Sequence, residues 1–196
     1  PPPPPPPPPT PTPPTPAPSG PVTPQLETMA SSKDGYATYR LNLVLGAEAA
    51  NCYTIYGDSA DVMTFPGAFQ VPAPFGANTG GANPAFFAFN ADAEFDSWLT
   101  VGPTDGGSQG ALGTVGTDFD AWTESAGLVV DDGAVFWMAP DDGPSGTVTV
   151  AQLTTAAGTT WTAVVNAQGR TTGGGESWDA RSIAFTNGGS GGGGGH

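Results

Sequence analysis

Asp92, Glu94 and Asp96 alternate in DAEFD (92–96), a spacing that puts three carboxylates on one face if the segment is a strand. Sandwich-fold glycosidases present alternating carboxylates in this way, one as nucleophile and one as acid. Glu48, Glu124, Glu176 and Asp179 are the candidates for a distant partner. The competing reading is an edge strand that turns an acidic face to water and so resists pairing with other chains. Because the chain holds 18 Asp plus Glu among 196 residues, such alternation arises from composition alone, and the acidic edge is the stronger reading. GGSQG (106–110) fits the G-x-S-x-G pattern around Ser108, as GGSGG (188–192) does by composition. A serine nucleophile needs a strand-to-helix turn and a histidine base, and the single histidine, His196, ends a glycine run. Catalysis is not the expected role.

Metal and cofactor chemistry is equally thin. Asp118 with Asp120, Asp131 with Asp132, and Asp141 with Asp142 supply oxygen ligands of the kind calcium takes. None has the spacing of a helix–loop–helix calcium site, and Asp-Asp-Gly is first of all turn chemistry. Ca2+ is thus the one ion left open, and no cofactor is expected. One cysteine and one histidine exclude a Cys/His metal site, and no phosphate loop or dinucleotide fingerprint is present. Cys52 reads as a small buried residue in a strand. Sugar binding by exposed aromatics is the remaining site chemistry, with Trp98, Trp122, Trp161 and Trp178 as candidates. The best placed is Trp178 in GGGESWDAR (173–181), where Glu176 and Asp179 would bind hydroxyls.

Positioning such residues falls to a body that reads as all-β. YATYRLNLVL (36–45) sets Tyr36, Thr38, Arg40 and Asn42 against Ala37, Tyr39, Leu41 and Leu43, the period of a half-buried strand. NCYTIYG, AFFAF, FDSWLTV, AVFWM, TVTVAQLT, TWTAVVNAQG and RSIAF follow, each rich in β-branched or aromatic residues and divided from the next by Gly, Pro, Asn or Asp. Only ADAEF and AWTESAGL offer a helical alternative, and both are short. Eight to eleven short strands predict an antiparallel β-sandwich or jelly roll. Phe86, Phe87, Phe89, Phe95, Trp98, Phe136, Trp137, Leu153 and Ile183 are the expected core.

The ends differ from the body. Sixteen of the 23 prolines lie between Pro1 and Pro24, which divides the chain into a proline arm (1–25), a sandwich domain (26–187) and a Gly-rich tail (188–196). Four Lys plus Arg against 18 acidic residues give a net charge of −14, which argues against nucleic acid and anionic membrane surfaces. No apolar run reaches the ~20 residues of a membrane-spanning helix. The absence of an initiating Met and of a signal-peptide pattern reads as a processed chain or a segment of a longer one. Scarce Lys and His with abundant Gly, Thr and Ala point to a secreted wall or surface protein.

Proline fixes φ near −65° and lacks an amide donor, so the arm is expected to be a polyproline II rod, roughly 75 Å for 24 residues at ~3.1 Å each. A rod without internal hydrogen bonds leaves its carbonyls to solvent or a partner. Thr10, Thr12, Thr15 and Ser19 lie among the prolines of TPTPPTPAPSGP, a composition of O-glycosylated stalks, and the chain holds no N-x-[ST] sequon.

Residues 1–24 resemble the hydroxyproline-rich glycoproteins of plant and algal walls, including extensin-like and mastigoneme-type proteins. The resemblance implies hydroxylation and short arabinose-type chains on Pro1, Pro2, Pro3, Pro4, Pro5, Pro6, Pro7, Pro8, Pro9, Pro11, Pro13, Pro14 and Pro16, with Thr10, Thr12 and Thr15 as further sites. The body, through YTIYGD (53–58), PFGANTGGANPAFFAF (74–89) and FDSWLTVG (95–102), is similar to a secreted module of unicellular algae. An arm lying along the surface or tail of the next copy makes a heterologous contact that propagates into a fibre unless it closes a ring. The expectation is an extracellular, filament-forming structural glycoprotein whose partners are other copies of itself and covalent O-linked glycans. A carbohydrate-binding module on a glycosylated stalk is the alternative, and a glycosidase the third reading.

Overall fold

A computed structural model describes residues 20–107 and 110–188. Eleven strands form among them: β1 (Val22–Thr28), β2 (Tyr36–Leu45), β3 (Thr54–Gly57), β4 (Met63–Phe65), β5 (Trp98–Leu99), β6 (Leu112–Val115), β7 (Leu128–Val130), β8 (Gly133–Trp137), β9 (Thr147–Ala156), β10 (Thr162–Arg170) and β11 (Ser177–Thr186). The described residues hold no α-helix, only short 3-10 turns. The all-β sandwich expected from the sequence is what forms.

Four strands make one antiparallel sheet in the order β1-β2-β9-β5. Seven make the other, β6-β8-β3-β10-β4-β7, with β11 running along β10. Alternation sets the faces: Leu41 and Leu43 of β2 turn inward and are wholly buried, whereas Thr38, Arg40 and Asn42 face the opposite side. Val148, Leu153, Ile55, Val135, Val165 and Phe185 meet Leu41 and Leu43 between the sheets.

One boundary and two strand assignments differ from expectation. Val22–Gln25, placed with the arm on proline content, belong to β1, where Pro24 pairs with Leu43. A proline is tolerated there because β1 is an edge strand. AFFAF and DAEFD are not strands: Pro84–Phe86 and Ala91–Phe95 are 3-10 turns. Asn83 and Asn90 cap them, accepting from the amides of Ala85 and Asp92, and this local capping outweighs aromatic strand propensity.

The expected core is corrected with them. Leu153 and Ile183 are buried in it. Phe86, Phe87, Phe95, Phe136 and Trp137 are half-buried, and Phe89 is 80 % exposed. Trp98 is buried but lies outside the main core, on the far side of the four-stranded sheet. An excursion between β4 and β6 folds over that side. It is fastened where the Phe69 amide donates to the Thr154 carbonyl at 2.8 Å and the Thr154 amide donates to Ser97 Oγ at 3.0 Å. Val71, Ala82 and Ala93 form a small second core inside it.

The chain enters and leaves the sandwich at opposite ends. Val22 pairs with Leu45, and the Gly46 amide donates to the Pro21 carbonyl at 2.8 Å, which places the arm's root at the Leu45 end of β2. Asn187, just after β11, donates to the Thr159 carbonyl at 2.7 Å and to the Tyr39 hydroxyl at 3.4 Å, at the other end. Seven strand residues separate the two ends, about 20 Å.

Candidate functional site

The cleft between the excursion and the four-stranded sheet is the best-built site. Arg40 of β2, Gln152 of β9 and Trp98 of β5 stand side by side across three strands. The row follows from the alternation of β2: once Leu41 and Leu43 are inward, Arg40 must face out. Its guanidinium lies over the indole of Trp98, 6.0 Å from the ring centroid, and its Nε donates to Gln152 Oε1 at 3.3 Å. Gln152 in turn gives both amide hydrogens to carbonyls of the excursion, Glu94 at 3.0 Å and Asp96 at 2.9 Å. One side chain therefore both ties the excursion down and aims the guanidinium.

Ala82, Pro84, Phe87 and Ala93 form the apolar wall, Glu94 and Asp105 stand at the rim, and the cavity holds about 190 Å3. Arg40 differs from the other cations here. Lys33 pairs with Asp92 at 2.7 Å, Arg170 with Asp141 at 2.7 Å, and Arg181 with Asp58, Asp61 and Asp179 at 2.9, 2.8 and 3.1 Å. No carboxylate lies within 4 Å of Arg40 among the described residues, and its Nη groups carry no hydrogen bond there.

The three alternating carboxylates do not share a face. Asp92 binds Lys33, Glu94 is exposed, and Asp96 is fully buried, accepting the amides of Val71 and Ala77 at 2.7 Å each. Burial pushes the Asp96 carboxyl up to about 6 against the pull of those amides. Its position fixes the 71–77 loop and keeps it away from the cleft lining. A 3-10 turn rotates successive side chains by a third of a turn, so alternate residues diverge.

The expected sugar site is corrected too. Trp178 is buried, its Nε1 donating to the Asn51 carbonyl at 2.9 Å, and Trp98, Trp122 and Trp161 are buried as well. None offers an open indole face. Asp179 is engaged by the Tyr56 hydroxyl at 2.7 Å and by Arg181, while Glu176 is exposed in the turn before β11. Glu48, like Glu176, is exposed, and Glu124 accepts from the Tyr36 hydroxyl at 2.5 Å. Among the described residues no group of three or more His, Cys, Asp or Glu side chains is arranged to hold a metal ion. Asp141, one of the calcium candidates, pairs with Arg170.

Cys52 is buried, and burial pushes its thiol up to about 12. Ser108, His196 and the expected modification sites from Pro1 to Pro16 lie outside the described residues.

No protein-family model, curated protein or solved structure matches the chain. Its chemistry must be read from its own residues. Arg40 and Gln152 were missed because the row they form joins strands more than a hundred residues apart in sequence. The available signal was an arginine on the polar face of β2 in a strongly acidic chain.

Proposed function

We propose that the protein is a structural, filament-forming extracellular glycoprotein, linked in series by an O-glycosylated proline-rich arm that contacts neighbouring copies. The observation that carries this is that residues 20–22, the arm's root, and Asn187, where the tail begins, lie at opposite ends of the sandwich. A globular unit whose chain enters and leaves at opposite ends suits a head-to-tail, heterologous contact. The composition of residues 1–24 and their likeness to wall glycoproteins support a sugar-coated rod. A charge of −14 would limit lateral sticking between filaments. No helix of the described residues is long and apolar enough to cross a membrane.

The test uses protein from its native source. Electron microscopy should reveal filaments, and a chain lacking residues 1–19 should remain folded and fail to form them. Mass spectrometry of the tryptic peptide ending at Lys33 should show added oxygens on proline with pentose or hexose ladders. Particles that stay monomeric, or filaments that survive deletion of the arm, would overturn the reading.

A further inference from the structure

We propose that the Arg40 cleft is a binding subsite for one neutral sugar residue, gripped through adjacent hydroxyls. A guanidinium fork is a rigid bidentate donor, and here it is pre-aimed by Gln152 and backed by Trp98. Its two Nη groups, lacking a hydrogen-bond partner among the described residues, are left to donate into the cleft. Leaving a half-buried cation without a carboxylate is costly in an acidic chain that pairs every other one.

The other lining groups select the ligand class. Glu94 and Asp105 share the rim, so an added carboxylate or phosphate would meet two like charges beside the one favourable one. A cationic ligand would suit Glu94 and Asp105 but stand against Arg40 and leave its donor-only guanidinium without an acceptor. Hydroxyls escape both conflicts, because each donates to a carboxylate and accepts from the guanidinium. Phe87 and Pro84 offer an apolar wall for the C–H face of a ring. A volume of about 190 Å3 is below the roughly 300–1,000 Å3 of sites for larger ligands and matches a single ring. The assignment does not depend on filament assembly, since every group it uses lies in one sandwich.

The full-length chain, made without glycosylation, would be titrated with methyl glycosides of arabinose, galactose, glucose and mannose, and separately with glucuronate. NMR would follow the Arg40 Nε–H and Gln152 Nε2–H2 signals. At least one neutral glycoside should shift both saturably with millimolar affinity. Arg40→Lys should weaken it at least roughly tenfold, because a point charge cannot replace the fork. Glu94→Ala changes an exposed side chain, leaves the fold intact and should also weaken binding. Absence of a saturable shift by about 100 mM of every neutral glycoside, binding of glucuronate alone, or unchanged affinity in folded Glu94→Ala would each overturn the proposal. Because free glycosides are the probes, failure here would leave filament formation to be judged by its own test.

Discussion

The Pro21 carbonyl accepts the Gly46 amide at 2.8 Å, and the Gly20 carbonyl lies 2.6 Å from where a Cβ on Gly46 would stand. This pair closes the β1–β2 ladder and pins residue 21 at the arm's root. A side chain at Gly46 would collide with the Gly20 carbonyl, so the backbone there would have to shift.

Gly46→Ala should therefore destabilise the sandwich by about 1–3 kcal/mol and loosen the arm's root. Denaturant unfolding reads the first effect, and faster hydrogen exchange at the residue 46 amide reads the second. Unchanged exchange in the variant would mean that the joint is not pinned there.

Asp96 makes stability pH-dependent. Its carboxyl is raised by burial from the ordinary value of 3.8 to about 6, so the folded chain holds that proton more tightly than the unfolded one. Its contribution is full below about pH 4 and is lost as pH rises through about 6, amounting to about 3 kcal/mol if the whole shift is expressed. Asp58, lowered chiefly by the Asp61 amide, and Asp61, lowered chiefly by Arg181, act in the opposite sense at pH values below that window. Urea unfolding between pH 4 and pH 7 should show the fall, and Asp96→Asn should flatten it. A carboxyl carbon of Asp96 that titrates near pH 4 by NMR would mean that the Val71 and Ala77 amides outweigh burial.

Trp178 is a structural residue. Its indole N–H satisfies the Asn51 carbonyl, and its ring packs where a Cβ on Gly169 would stand, 2.5 Å away. Trp178→Phe should cost about 1–3 kcal/mol through the orphaned carbonyl, and Trp178→Ala about 3–5 kcal/mol through the void. Thermal unfolding checks both. Saccharide binding measured in folded Trp178→Phe should equal that of the parent chain, and a selective loss would restore the sugar-stacking role.

These outcomes trace where sequence was informative. Wherever one face of a long strand is buried, alternation writes itself into the residues, and so 36–45 of YATYRLNLVL is β2 to the residue. Short aromatic and acidic runs carry no such periodicity, and in AFFAF and DAEFD the outcome turned on Asn83 and Asn90, whose caps the strand reading overlooked. Strand β1 was hidden by Pro24 and β6 by Gly113, which lies under the Phe136 ring. The cleft was the least legible feature, because Arg40, Gln152 and Trp98 become neighbours only through the pairing of β2, β9 and β5.

The opposite placement of the chain's entry at residue 20 and its exit at residue 188 also predicts how the sandwich bears load. β1 is held to β2 by seven residue pairs and β11 to β10 by eight. Antiparallel ladder bonds lie perpendicular to the strands, so tension applied at residues 20 and 188 runs along β1 and β11 and strains each ladder as a whole. Handles at Asp34, in the β1–β2 turn, and at residue 188 would both pull from one end and open the ladders pair by pair. Single-molecule stretching should therefore require clearly higher force in the first geometry than in the second. Equal forces would mean that the terminal ladders do not carry the load, and the serial-link reading would lose its mechanical basis.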